Sequence, residues 1–243
     1  MSETTEDQLL GGRVRLRQPR EGFRAGLDAV MLAAFVPARS GERVLEAGCG
    51  SGAAFLCLAA RVPGLDVAAV EREPSMAALA RANAAANGVT ARVEDGDVAD
   101  PAMARSLGPF HHALANPPFW PGGTPPPGAI RRAATHESDA GLDAWASFLA
   151  AGLKRGGTAS MILPAARFDA GIAALRGAGM GATLLLPLVP RDGMEAKRVL
   201  LRGRKGAKGP ARILPPLALH LADGTFTLAV EDVLRGAAPL GPG

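Results

Sequence analysis

The chain has 243 residues, 48% of them apolar, with 31 glycines and 20 prolines spread among apolar runs. This composition excludes a disordered or repetitive polymer and leaves room for one sizeable core. The net charge of +4 points to a polyanionic partner, and the short, interrupted apolar stretches exclude a membrane-spanning helix.

Met1 to Leu10 lacks the basic start and apolar run of a secretory signal, so a cytoplasmic protein is expected. Arg13, Arg15 and Arg17 alternate with Val14 and Leu16, which on a strand sets three guanidiniums on one face. From Glu42 onward short β-type runs alternate with longer helical patterns, the signature of a parallel sheet covered by helices. Strands are predicted at Arg43 to Ala47, Asp66 to Val70, Ala91 to Glu94, His112 to Ala115 and Thr158 to Leu163. Helices are predicted at Ala53 to Arg61, Pro74 to Asn87 with Gly88 ending it, and Asp143 to Lys154. Ala182 to Leu188 and Lys197 to Arg202 complete about seven strands as an antiparallel pair. The expected fold is α/β, a Rossmann-like, mostly parallel seven-stranded sheet with an antiparallel strand and helices on both faces. Residues 1–41 form a lead with a basic strand and a helix, 42–204 the α/β domain, and 205–243 a basic C-terminal extension. Cys49 and Cys57 fall on a turn and the helix after it, poorly placed to pair, and are expected as reduced thiols.

The first predicted strand runs into Glu46-Ala47-Gly48-Cys49-Gly50-Ser51-Gly52. Glycines there let the backbone bend and let a ligand lie against main-chain atoms. Dinucleotide enzymes use similar glycines, so the loop alone does not choose the cofactor. Glu71 ends the next strand about twenty residues later, where a carboxylate accepts both hydrogens of a ribose diol. Asp97 follows the third strand, in reach of an adenine edge.

The fourth strand ends in Asn116-Pro117-Pro118-Phe119, followed by Trp120. An aryl amine or amide nitrogen is a poor nucleophile because its lone pair is delocalised. Two acceptors on its hydrogens, the Asn116 side-chain oxygen and the Pro117 carbonyl, favour a pyramidal nitrogen aimed at an electrophile. Pro118 helps hold the turn, and Phe119 stacks on a flat substrate. This chemistry needs no metal.

Glu46 to Gly52 with Glu71 and Asp97 resemble the first three motifs of class I S-adenosylmethionine-dependent methyltransferases. The resemblance implies that Gly48, Gly50, Gly52 and Glu46 hold the methionine part of S-adenosylmethionine and that Glu71 holds its ribose, with Asp97 and Asn116 completing the cofactor site. Asn116 to Phe119 resemble the motif of enzymes that methylate adenine, cytosine or guanine amines or a release-factor glutamine. His111 stands where that pattern commonly has Asp, and is expected to be structural. Gly22 to Leu32, Arg132 to Glu137 and Lys197 to Arg204 together resemble the bacterial tRNA (valine) adenine-N6 methyltransferase family, in order from about Gly12 to Thr227. The resemblance implies a tRNA substrate methylated beside the anticodon, with Arg13, Arg15, Arg17, Arg24, Arg132, Lys197, Arg202, Arg204 and Lys205 contacting RNA. His136 is read as a satisfied loop histidine, and a monomer is favoured. A release-factor glutamine or rRNA guanine-N2 enzyme is the alternative. A nicotinamide oxidoreductase leaves the Asn116 motif without a purpose, and a noncatalytic RNA-binding protein needs neither that motif nor the acid pair.

Overall fold

The computed structural model describes residues 3–21, 24–118 and 141–242. It opens with a hairpin, β1 (Thr4–Leu9) against β2 (Val14–Pro19), and helix α1 (Leu27–Phe35). Then β3 (Arg43–Ala47), α2 (Ala53–Arg61), β4 (Asp66–Glu71), α3 (Pro74–Ala86), β5 (Ala91–Asp95), α4 (Pro101–Leu107) and β6 (Phe110–Ala115) follow in alternation. After α5 (Leu142–Gly152) come β7 (Leu153–Pro164), α6 (Phe168–Gly177), β8 (Met180–Val189) and β9 (Arg198–Lys205). Two short strands, β10 (Arg212–Ile213) and β11 (Leu217–Ala218), and helix α7 (Leu228–Gly236) end the order.

The main sheet runs β10-β8-β9-β7-β6-β3-β4-β5, with β11 also beside β8. Strands β5, β4, β3, β6 and β7 are parallel, and β9 is antiparallel to both β7 and β8. Seven strands make the expected mostly parallel sheet. The two-residue strands β10 and β11 widen it, and the polar Thr4–Leu9 segment, read as no element from sequence, pairs with β2.

Strand periodicity divides the core into two layers. Val44, Val67, Leu114 and Ile162 face a cluster with α1, α2, α3 and α7, whereas Leu45, Val70, Ala115 and Met161 face α4, α5 and α6. Pro74 begins α3 at a position that needs no N–H donor, and Gly88, at φ +65°, follows its end. Residues 205–242 pack back onto the sheet domain: Val230 and Val233 are buried in the first layer, and the Leu240 N–H donates to the Ala34 carbonyl at 2.8 Å. Both cysteines are buried and free. No helix among the described residues is long and apolar enough to cross a membrane.

One side-chain pair fastens the hairpin to the domain. Asn83 on α3 and Asn87 just past its end are one turn apart and meet β2 as a neighbouring strand would. The Asn83 Oδ1 accepts from the Arg17 N–H at 3.0 Å, while its Nδ2 donates to the carbonyls of Arg17 and Ser51, both at 2.9 Å. Asn87 repeats the exchange with Arg15 at 2.9 and 2.7 Å, closer to solvent. Because Asn83 is 1% exposed, its loss strands buried partners without water. Asn83→Ala is expected to cost about 3 kcal/mol and Asn87→Ala about 1 kcal/mol in urea denaturation; equal losses contradict the assignment.

Candidate active site

Residues Ala47, Val70 and Ala115 stand side by side across β4, β3 and β6, and Val70 is level with Glu94 on β5. Gly48, Glu71, Asp95 and Asn116 therefore begin the next row, at the carboxyl edge, on strands spaced about 4.8 Å apart. The chain turns sharply there, with Gly48, Gly50 and Gly52 at φ +62°, +54° and +90°. A Cβ on Gly48 would lie 2.4 Å from Cη2 of Trp145, and one on Gly52 would lie 2.6 Å from the Phe55 ring. Both glycines are thus required by conformation and by space.

Glu71 holds the loop shut from the next strand. Its Oε2 accepts from the Gly50 N–H at 2.8 Å and its Oε1 from the Glu73 N–H at 2.9 Å. Each oxygen keeps further lone-pair capacity. Glu46, on β3, is buried and accepts from the Phe55 N–H in the first turn of α2 at 2.7 Å. Burial pushes its carboxyl up to about 8, against the Phe55 hydrogen bond and helped by the Glu71 charge. Asp97 folds onto its own turn: Oδ1 accepts from the Ala99 N–H at 2.9 Å and Oδ2 lies 3.8 Å from Arg72.

The Asn116 Oδ1 is buried and has no hydrogen-bond partner among the described residues. Three other buried side-chain atoms share that condition, on Arg61, Ser160 and Thr183, but only Asn116 stands one residue past Ala115 on the row of strand ends. A buried carbonyl oxygen without a donor costs about 1–3 kcal/mol, which a ligand N–H returns. Phe119 lies outside the described residues. Sequence reasoning missed two walls of the crevice, Trp145 from α5 and Met103 from α4, whose Sδ lies 2.2 Å from where a Gly96 Cβ would stand. Only the glycine in Asp95-Gly96-Asp97 hinted at a close approach.

Residues 26–136 match the family model of the methyltransferase small domain. The chain is 30% identical over 211 residues to a tRNA1(Val) (adenine(37)-N6)-methyltransferase of Aeromonas hydrophila, covering 86% of this chain and 87% of the relative. The chain belongs to the tRNA1(Val) (adenine(37)-N6)-methyltransferase family. Among solved structures, a predicted O-methyltransferase from Agrobacterium tumefaciens superposes with a TM-score of 0.74 at 29% identity, covering 89% of this chain and 99% of that one. A 16S rRNA methyltransferase of T. thermophilus, solved with AdoMet and guanosine, gives 0.60 at 20% identity over 84% of this chain and 50% of its own. The fold is that of class I S-adenosylmethionine-dependent methyltransferases.

The basic residues of this methyltransferase separate into groups. Arg13, Arg15 and Arg17 are exposed, the last two on the outer face of β2, with Glu6 3.9 Å from Arg17. Lys197 is exposed and precedes Arg198, whose partner Pro164 ends β7 at the carboxyl edge. Arg24 is spent on the hairpin: it pairs with Asp7 at 2.5 Å and donates to Thr5 Oγ1 and the Pro19 carbonyl. Arg202, Arg204 and Lys205 are not near the crevice. Strand β9 runs antiparallel, so Arg204 is level with Thr158, which is level with His112 near the start of β6. Arg202 is buried and donates to the Phe35 and Pro242 carbonyls, and the Lys205 ammonium donates to the Ala150 and Leu153 carbonyls. They stand at the amino edge of the parallel strands, so they do not flank the crevice as the sequence reading expected. Arg132 and His136 lie outside the described residues. His111 accepts from the Arg43 N–H at 3.1 Å, a structural bond.

Glu46 carries a pH dependence with a definite sign. Its carboxyl is protonated in the folded chain up to about 8 and ionised in the unfolded chain above about 4.5. The native state alone binds that proton between these values, so stability falls as pH rises from 4.5 and this contribution is gone above 8. Without cofactor, Glu46→Gln should lose less thermal midpoint than wild type between pH 6 and pH 9. An identical fall in both proteins contradicts a neutral, buried Glu46.

Proposed function

We propose that this methyltransferase moves the methyl group of S-adenosylmethionine to the exocyclic N6 of an adenine beside the anticodon of a tRNA. The observation that carries the reading is the buried Asn116 Oδ1, without a hydrogen-bond partner among the described residues, on the same row as the glycine loop and Glu71. The 30% identity to the Aeromonas tRNA enzyme over most of both chains supports the choice of base and RNA.

The residues fit the donor. The glycine loop leaves a cradle at Gly50, where the nearest atom to an added Cβ is 3.8 Å away, and Glu71 has lone pairs left for a ribose diol. S-adenosylmethionine, when bound, supplies an electrophilic methyl carbon on a sulfonium centre. Glu46 would face its cationic methionine end, and Gly48, Gly50 and Gly52 would let the main chain approach it; Asp97 would meet the adenine side. Asn116 Oδ1 and the Pro117 carbonyl would each accept one hydrogen of the target amine and turn its lone pair toward the donor. Pro118 would fix the turn and Phe119 would stack on the adenine, worth about 1–3 kcal/mol. The N–H proton leaves to water once the nitrogen is methylated. Arg13, Arg15, Arg17, Arg132 and Lys197 would meet phosphates, which position RNA without reading its sequence.

Unmodified tRNA incubated with the enzyme and S-adenosylmethionine, then digested to nucleosides, should show N6-methyladenosine by mass spectrometry. Methylguanosine in place of methyladenosine, or transfer to a release-factor glutamine with none to tRNA, overturns the assignment.

A further inference from the structure

A cavity among the described residues lies away from the methyl-transfer crevice. It measures about 560 Å³, in the range of small-molecule sites, and opens at the amino edge of the parallel strands, beside His112 and Thr158. Its walls carry five cations: Arg39, Lys154, Arg202, Arg204 and Arg212. Glu42 is the one carboxylate on the lining, and it is already engaged by the Arg39 N–H at 2.8 Å and by His112 Nε2 at 2.9 Å.

Among the described residues none of the five cations forms an ion pair, whereas Arg17, Arg20, Arg24, Arg43, Arg92 and Arg198 each meet a carboxylate. Like charges gathered around a concave, partly dry space repel one another and raise the local positive potential. Arg202 shows this most clearly. Its guanidinium is fixed by two backbone carbonyls and by the Phe35 ring, 4.9 Å from its centroid, with no carboxylate paired to it among the described residues. Burial, with the neighbouring Arg212 charge, pulls it down to about 10. A fold that gathers several cations on the wall of one cavity, one of them fixed in place by carbonyls, is preorganised for a multiply charged anion, and guanidinium forks suit phosphate oxygens.

We propose that this cavity is a second ligand site that binds a phosphate-bearing group with two or more negative charges. Such phosphate comes either from the RNA substrate or from a free polyphosphate or nucleotide, and the two sources are separable. Isothermal titration of the full chain with sodium tripolyphosphate should show binding that weakens with salt. The combined variant Arg39→Ala, Lys154→Ala, Arg212→Ala removes three exposed side chains outside the methyl-transfer machinery. It should bind tripolyphosphate at least tenfold more weakly while its affinity for S-adenosylmethionine and its melting temperature stay at wild-type values. If tripolyphosphate competes with tRNA and the variant loses tRNA affinity, the phosphate is the RNA's; if tripolyphosphate and tRNA bind together, it is a free ligand. A wild-type chain that does not bind tripolyphosphate, or a variant that binds it equally well, overturns the proposal. The tripolyphosphate measurement does not depend on tRNA being the methyl acceptor, so the two readings fail separately.

Discussion

The site depends on one constraint, the shared register of four parallel strands. Because Ala47, Val70, Glu94 and Ala115 are aligned across the sheet, the chain leaves β3, β4, β5 and β6 at the same height. Backbone hydrogen bonds set that alignment to a fraction of a residue, and slipping it by one would send every core side chain to the opposite layer. The packing of both layers thus fixes the relative positions of Gly48, Glu71 and Asn116, although no two of them are near in sequence. It is the general geometry of open α/β sheets, whose ligands bind outside the carboxyl ends of the strands.

Two carboxylates in different surroundings stand on this edge. Glu71 is half-exposed and spends one lone pair of each oxygen on the backbone, which ties the glycine loop to the start of α3. Glu46 is buried with a single N–H donor, so its environment favours the neutral acid. Asn83 extends the arrangement outward, since it joins Ser51 of the glycine loop to Arg17 of the amino-terminal hairpin. The surface that carries Arg15 and Arg17 is thereby attached to the floor of the crevice instead of hanging from a linker.

Much of this was legible wherever backbone chemistry is local. Helix α2 spans the residues that its pattern predicted, and α3 stops where Gly88 supplies a left-handed turn. The glycine loop announced itself because only glycine tolerates those angles. Other elements were illegible for physical reasons. Thr4–Leu9 is polar and becomes a strand only because β2 lies beside it, and α4 went unread although Asp100 and Pro101 supply its cap and first position. Where the charges on β9 lie was not legible from composition. A basic cluster normally marks a wet surface, but an antiparallel return puts Arg202 and Lys205 at the far edge of the sheet. There, carbonyls of α5, α1 and the C-terminal segment absorb their donors. Composition records the charge of those residues, whereas their distance from the crevice follows from strand direction and register.

In the proposed reaction the Asn116 Oδ1, which has no hydrogen-bond partner among the described residues, accepts from the amine that receives the methyl group. Single-turnover kinetics of Asn116→Ala, with cofactor and tRNA affinities measured in parallel, tests it most directly. The chemical step should be slower by about 100-fold or more, because the acceptor acts on the nitrogen as it pyramidalises, with both affinities within about twofold of wild type. A variant that transfers methyl groups at a near wild-type rate contradicts it.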